Sequence, residues 1–292
     1  MKSLLRSLTP PLIYEALRHL KQRISPTTKY RIAGRVIIIP SDHDLPAFQA
    51  AHRLYDRFLP VLCSQLPPAG VIVDVGANVG DTIAAIIPTC TNRIVAIEGH
   101  LPYFEILRDN LSVIDPDRRV TPIHALLGTG SRTGSLIANR GTATLRNGGS
   151  GQMRTLDEIL ENWLDQVILL KVDTDGFDAD VICSGMEMIK ASRPILFWEG
   201  CTSDPAPFEI MYGKLAAAEY DRFWIFDNFG NLMLSECGTK ELIDVDRYVA
   251  SQYRHNCTRT LFYVDVLAST AKTVVEARNA IAKYRREFIE IP

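Results

Sequence analysis

The carboxylates of this sequence gather at the ends of apolar runs, where side chains are free to do chemistry. Residues 71–81 read VIVDVGANVGD. An unbroken apolar strand, Val71–Val75, opens into Gly76, Ala77, Asn78, Val79 and Gly80, and a helix follows from about Asp81. In an open α/β sheet, ligands bind outside the carboxyl ends of the strands, where the strand order reverses. Gly76 lets the chain turn sharply there, and Gly80 allows close helix packing or close approach of a ligand. The first turn of the helix then offers N–H groups with no partner inside the helix. A dinucleotide loop would carry G-x-G-x-x-G, so that a pyrophosphate sits against the helix dipole. Here Asn78 stands in place of the second glycine, Asp81 puts a negative charge at the helix start, and Asp74 adds another at the strand end. Such acids repel a pyrophosphate. They suit a cofactor with positive groups, such as the sulfonium and α-ammonium of S-adenosylmethionine.

Glu98 ends the next apolar run, 22 positions after Gly76. A carboxylate about 20 residues past such a loop accepts hydrogen bonds from ribose hydroxyls. Gly99 and the residues after it, to 103, are expected over the adenine. Leu126, in the run 125–127, is expected against the base.

A further acid cluster lies in residues 167–180, VILLKVDTDGFDAD. Its strand ends in Lys171, Val172 and Asp173 and opens into Asp175, Gly176 and Asp178 before a helix. Methyl transfer is an in-line displacement, so an enzyme for it must align the acceptor, exclude water and remove a proton. Asp173 is the candidate base or acceptor-positioning residue. Asp175 and Asp178 either contact the acceptor or cap the following helix, where Asp is favoured. His100 and His124 stand near strand ends as alternative bases. D-x-D-G also opens a calcium loop, but the remaining ligands and the Glu at the twelfth position are missing. Asp42, His43 and Asp44 are neighbours in a turn and do not converge readily on one ion, so no dedicated metal-ligand set is expected.

These segments must be placed by a folded scaffold. The chain has 292 residues, 47% hydrophobic and 23% charged, the balance of a globular protein with room for one large α/β domain and extensions. A net charge of -2 gives no overall attraction to nucleic acid, and no N-P-P-[YF] motif for base chemistry is present. Its six Cys are scattered without C-x-x-C spacing, which suits reduced, mostly buried thiols. No apolar run reaches the ~20 residues needed to cross a bilayer, and no signal-peptide core is seen, so a cytoplasmic enzyme is expected. Before Asp42 the only acid is Glu15, against eight Lys and Arg. A helix over residues 10–24 with Ile13, Leu17, Leu20 and Ile24 on one side packs on its own domain or a partner subunit, or lies on the inner membrane surface.

Apolar periodicity predicts a strand at 35–39, a helix at 46–62 and a breaker at 67–70. Strands and helices then alternate from residue 71, with strands at 93–98, 120–127, 167–172, 194–198, 223–227, 232–234 and 260–267. Short unbroken apolar strands alternating with helices imply a doubly wound, mostly parallel sheet. Seven strands are expected, with an antiparallel strand at one edge and a long connection, 238–259, of little helical signal. Residues 131–151 are polar and glycine-rich, with short strands at 135–138 and 142–145. The boundaries expected are an extension over 1–66, a main domain over 67–270 and a C-terminal helix over 271–292. The apolar stripe of that helix, Val274, Ala277, Ile281, Tyr284 and Phe288, is a core face, with a homodimer seam as the alternative.

VDVGANVGDT, followed by IEGHLPYFEILRDNL, RTLDEIL and LLKVDTDGFDADVI, resembles the FkbM-type methyltransferases over roughly residues 70–200. The family's motif at this strand is close to K-I-D-V-E-G-x-E. Lys171, Asp173, Asp175, Gly176 and Asp178 match it, with Asp replacing Glu twice, and Glu199 matches the acid common after the fifth strand. The resemblance implies a class I, Rossmann-like fold that uses S-adenosylmethionine. It also implies O-methylation of a sugar, glycolipid or natural product, often in polysaccharide synthesis, with Asp175, Asp178 and Glu199 on the acceptor side. Two other readings stand beside it: an NAD-linked oxidoreductase or epimerase, and a non-catalytic module that binds S-adenosylmethionine. Titration with S-adenosylhomocysteine and with NAD separates the first of these.

Overall fold

The computed structural model describes residues 26–130, 133–139, 142–147, 151–201, 203–254 and 261–290. The basic helix expected over residues 10–24 lies outside them. The described chain opens with a hairpin, β1 (Thr27–Ile32) and β2 (Arg35–Pro40), and two short helices, α1 (Leu45–Ala51) and α2 (Phe58–Cys63). Alternation then begins with β3 (Val71–Val75), α3 (Asp81–Ile86), β4 (Arg93–Glu98), α4 (Leu101–Ile114) and β5 (Val120–His124). A small side sheet holds β6 (Leu126–Leu127), β7 (Thr133–Asn139), β8 (Thr142–Asn147) and β9 (Gly151–Arg154). The main sheet resumes through α5 (Leu156–Ile159), β10 (Val167–Val172), α6 (Asp178–Cys183), α7 (Met186–Ser192), β11 (Ile195–Glu199) and α8 (Ala206–Ala217). It ends with β12 (Arg222–Asp227), β13 (Leu232–Cys237), α9 (Thr239–Arg254), β14 (Val264–Ser269) and α10 (Val274–Tyr284), the last running on as a π-helical turn, Arg285–Ile289.

The main sheet has the order β13-β12-β14-β11-β10-β3-β4-β5. β11, β10, β3, β4 and β5 are parallel, as their apolar runs predict. Strand order reverses beside β3, between β4 and β10, so the end of β3 is the switch point where a ligand binds. Two expectations change here. The sheet has eight strands, because β12 and β13 form an edge hairpin. The antiparallel edge strand is present as β13, and a second antiparallel strand, β14, lies inside the sheet between β11 and β12 and pairs with both. Residues 238–259 hold a helix that makes this possible. At ~1.5 Å per residue, sixteen residues of α9 span ~24 Å, enough to carry the chain back to the carboxyl edge before β14 starts. Its buried stripe is narrow, Leu242, Asp246, Val249 and Ala250, and contains an acid that takes a hydrogen bond from the Tyr212 hydroxyl. An apolar count along the sequence passes over such a stripe.

Strand residues alternate between two cores. Val71, Val73, Val75, Leu170, Val172, Trp198 and Val266 pack against the α5–α9 layer. Ile72, Leu169, Ile195, Phe226 and Leu267 pack against α1–α4, α10 and the first hairpin. The expected helix over 46–62 is broken into α1 and α2, since His52 is extended and Asp56 has φ 58°. The helix expected after Asp178 is broken at Ser184 and Gly185, where any Cβ on Gly185 would lie 2.7 Å from Leu156. Asn110 ties the first hairpin to the sheet. Its side chain accepts from Ile38 N–H (2.7 Å) and donates to the carbonyls of Ile38 (2.8 Å) and Val79 (2.8 Å). On α10, Ala277, Ala280, Ile281 and Tyr284 are buried within this chain, which accounts for most of the C-terminal stripe as core. Among the described residues no helix is long and apolar enough to cross a membrane.

Candidate functional site

The loop after β3 is held by backbone. Gly76 and Ala77 both direct their N–H groups to the Ile97 carbonyl at 3.0 Å, and Asp173 N–H reaches the Val75 carbonyl at 3.1 Å. Gly76 has φ 76°, and a Cβ there would stand 1.8 Å from the Asp173 carbonyl oxygen. No other residue type fits, so the glycine is required by the neighbouring strand end as much as by the turn. Asn78 also has positive φ (49°), and its N–H donates to Glu98 Oε2 at 2.9 Å. The other Glu98 oxygen accepts the His100 N–H at 2.6 Å. Glu98 thus ties the loop after β3 to the start of α4. Burial at 5% exposure pushes its carboxyl up to about 7, against the lowering effect of those two N–H groups. A carboxylate has about four acceptor positions, so lone pairs remain for hydroxyl donors from a ligand.

These elements wall a cavity of about 280 Å³. Gly76, Asn78, Asp81, Glu98, Gly99 and Leu126 line it from the cofactor side, and Asp173, Asp175 and Glu199 from the β10–β11 side. The sequence reading places the first six at the cofactor and the last three at the reacting and acceptor end, and the structure gathers all nine around one cavity. Lys171 is the one Lys or Arg among the described lining residues, so the cavity favours positive groups. Asp81 is raised from the ordinary Asp value by burial, with His43 and Lys171 acting the other way.

Four expected contacts stand behind the wall rather than on it. Asp74 is 1% exposed, and it pairs across the sheet with Lys171 at 3.0 Å. Ala77 is 1% exposed beneath the turn. Gly80 has φ 86° and leaves room for Leu107, which a Cβ would meet at 2.8 Å. Asp178 is wholly buried and accepts from Thr174 N–H (3.3 Å) and Thr174 Oγ1–H (3.0 Å), which gives it the loop-capping role instead of contact with the acceptor. Burial and the Asp173 charge push Asp178 up to about 7. The alternative bases are also placed away from the cavity. His100 is buried against Tyr103 with a ring-centroid distance of 4.5 Å, and His124 faces solvent with Nε2 3.1 Å from the Gly99 carbonyl.

Lys171 is the centre of the chemical end. Its ammonium lies 3.0 Å from Asp74, 3.4 Å from Asp173 Oδ2 and 3.3 Å from the Gly76 carbonyl. It therefore ties the loop after β3 to the reacting side of β10. Asp173 keeps a side chain 49% exposed, free to meet a substrate. Along β10, Lys171 and Asp173 share a strand face with Glu199 of β11 and Asp265 of β14. Glu199 and Asp265 are direct cross-strand partners, so their side chains start about 5 Å apart. Burial and the surrounding carboxylates hold both well above the ordinary range. Such a group keeps its proton to higher pH than an ordinary carboxyl, and once ionised it is the stronger base.

Sequence reasoning gave Lys171 no role and missed Asp265, Tyr263, Tyr55 and Asp56, and all five line this cavity or the one beside it. An antiparallel strand brings its first residues, not its last, to the carboxyl edge of the sheet. The apolar run that marks β14 does not give its direction or its neighbours, so the arrival of Tyr263 and Asp265 is hidden. Among the described residues no group of three or more His, Cys, Asp or Glu is arranged to hold a metal ion.

No curated protein matches the chain. The chain is similar to solved structures that include an FkbM methyltransferase from Methylobacillus flagellatus KT (15% identity, TM-score 0.37, 77% of this chain and 58% of that one). Another is an O-methyltransferase from Bacillus cereus in complex with SAH (16% identity, TM-score 0.42, 77% and 88%). A third is TYW2 from M. jannaschii in complex with AdoMet (11% identity, TM-score 0.45, 83% and 84%). The methyltransferase FkbM domain model matches residues 74–221, a stretch that begins at the buried acid of β3 and includes the loop, Glu98, the β10 cluster and Glu199. This chain belongs to the FkbM methyltransferase family.

Proposed function

We propose that the protein is an S-adenosylmethionine-dependent O-methyltransferase acting on a hydroxyl of a sugar, glycolipid or natural product. S-adenosylmethionine is its methyl donor. The observation that carries the reading is the junction at Asp173. There the carboxylate-lined cofactor cavity ends on a strand face that also carries Glu199 and Asp265. A hydroxyl loses its proton as the methyl group arrives, so a carboxylate at that point can take the proton. The ribose is held by Glu98, and the positive sulfonium is favoured by Asp81 and Asp173. Asp173 is the candidate group that orients the acceptor oxygen and receives its proton, and Lys171 fixes it in place.

The test is methyl transfer from isotope-labelled S-adenosylmethionine to a panel of glycosides and hydroxylated small molecules. Asp173→Asn is expected to keep S-adenosylhomocysteine affinity within about threefold while turnover falls by about 10²-fold or more, the range for removing a positioned base. Unchanged turnover in that variant removes Asp173 from the reaction. Binding of NAD in place of S-adenosylhomocysteine overturns the whole reading.

A further inference from the structure

A second cavity, of about 330 Å³, adjoins the first and shares Tyr55, Lys171, Asp173, Glu199 and Tyr263 with it. It lies on the sheet face covered by α2, α10 and the π-helical turn. We propose that this chamber is the acceptor site, and that it takes a hydroxyl-bearing molecule with an uncharged apolar arm and no phosphate or carboxylate beside the hydroxyl. The inference rests on the methyltransferase reading above, and it narrows the acceptor.

Two observations carry it. The first is charge. Where the chamber meets the cofactor cavity it is walled by Asp56, Asp81, Asp173, Glu199 and Asp265. The cation among them, Lys171, is already committed to Asp74 at 3.0 Å and Asp173 at 3.4 Å. Burial and the surrounding carboxylates hold Glu199 and Asp265 above the carboxylate range. An anion brought here enters a cluster already crowded enough to hold protons, while a neutral hydroxyl adds no charge and meets carboxyl oxygens that can accept its hydrogen bond.

The second observation is the rest of the lining. Away from the junction the wall is Phe58, Phe197, Phe226, Phe288 and Ile32. The neutral polar side chains there have partners within the protein. Gln49 accepts from Tyr30 and donates to Asp56. Ser64 receives the Lys283 ammonium at 2.9 Å, and Thr89 donates to the Ile86 carbonyl. Asn228 accepts the Phe262 N–H. The remaining charged groups, Arg57 and Glu287, are exposed. The chamber thus offers an arm apolar surface and few free hydrogen-bonding groups, and its volume is that of a small ligand pocket.

The probes are octan-1-ol and octyl phosphate, which share an arm and differ in the charge at the hydroxyl end. Both are titrated by calorimetry or by NMR into the full-length protein saturated with S-adenosylhomocysteine. Octan-1-ol is expected to bind, and octyl phosphate at least tenfold more weakly. Phe288→Asp should weaken octan-1-ol at least tenfold with S-adenosylhomocysteine affinity unchanged, and Phe288→Leu should restore it. The pair Glu199→Gln with Asp265→Asn should reduce the preference to less than threefold. Equal or tighter binding of octyl phosphate overturns the proposal. So does octan-1-ol binding that is indifferent to Phe288→Asp. An absence of octan-1-ol binding means that the chamber is filled by another segment of this chain or by a second copy, and it overturns the proposal too. The reading beneath fails separately, by loss of S-adenosylhomocysteine binding in the unaltered protein.

Discussion

The two halves of this site meet at Asp173 but are built from different materials. The cofactor half is backbone. Its loop is pinned by N–H bonds to the Ile97 carbonyl and to Glu98, and the Gly76 Cα is pressed against the Asp173 carbonyl. The half proposed for the acceptor is side chain. Tyr55 comes from the connection between α1 and α2, Phe197 and Glu199 from β11, Tyr263 and Asp265 from the start of β14, and Phe288 from the C-terminal turn. A backbone wall has one geometry and fails abruptly when a Cβ is added. A side-chain wall can change one lining group at a time without losing the frame. Within one fold the donor site is thereby held constant, while the acceptor site is open to variation.

Substitutions that break this contrast should begin with Gly76→Val. The added carbons have nowhere to go, since the first would lie 1.8 Å from a main-chain oxygen and the residue holds φ 76°. S-adenosylhomocysteine binding should disappear from calorimetry, with thermal stability falling as well. Retention of binding within tenfold would show that the loop is less rigid than its contacts imply. The next largest effect is at Lys171. Replacing it by Met leaves Asp74 buried without its partner, which costs about 3–5 kcal/mol in denaturant unfolding. Adding Asp74→Leu should recover most of that loss, because an apolar pair can replace a buried ion pair. No recovery in the double variant would mean that Lys171 stabilises chiefly through Asp173 and the Gly76 carbonyl.

The same contrast explains what could be read in advance. Val71–Val75, Arg93–Glu98 and Val167–Val172 are mainly apolar strands whose boundaries are visible in composition. Their carboxyl ends carry the cofactor loop, Glu98 and Asp173, so one local pattern locates both the strand and its chemistry. The acceptor half has no such pattern. Asp265 reaches Glu199 only because β14 runs antiparallel between β11 and β12, and that depends on α9, a helix with an acid in its buried stripe. Tyr55 and Asp56 lie where a continuous helix was expected and a break occurs. Their positions are set by tertiary packing on the sheet, which no local periodicity records.

A smaller effect separates the halves by pH. Glu98 is 5% exposed with its carboxyl pushed up to about 7, against about 4.3 for an unfolded Glu. Between those values the folded state holds a proton that the unfolded chain has released. Its contribution to stability is therefore complete below about pH 4 and is lost as pH rises through 7. From pH 5 to pH 7.5 the loss comes to about 2 kcal/mol for such a shift. Glu98→Gln should flatten that part of the stability profile, whatever it does to absolute stability. Unfolding curves at the two pH values decide it: an unchanged slope would mean that Glu98 is already ionised in the folded protein, held so by the N–H groups of Asn78 and His100.

The smallest effect belongs to the side-chain wall. Tyr55 lines both cavities, stacks on Phe48 with ring centroids 5.5 Å apart, and is partly exposed. Burial and the charges of Asp56 and Asp173 raise its hydroxyl far above the ordinary Tyr value, so it stays protonated and can donate to or accept from a ligand oxygen. Tyr55→Phe keeps the ring and the stack and removes one hydrogen bond, worth about 0.5–1.5 kcal/mol net. The acceptor KM should rise by about three- to tenfold, with S-adenosylhomocysteine affinity and the unfolding midpoint unchanged. If cofactor affinity falls instead, Tyr55 belongs to the cofactor wall, and the boundary between the two halves lies on the other side of that ring.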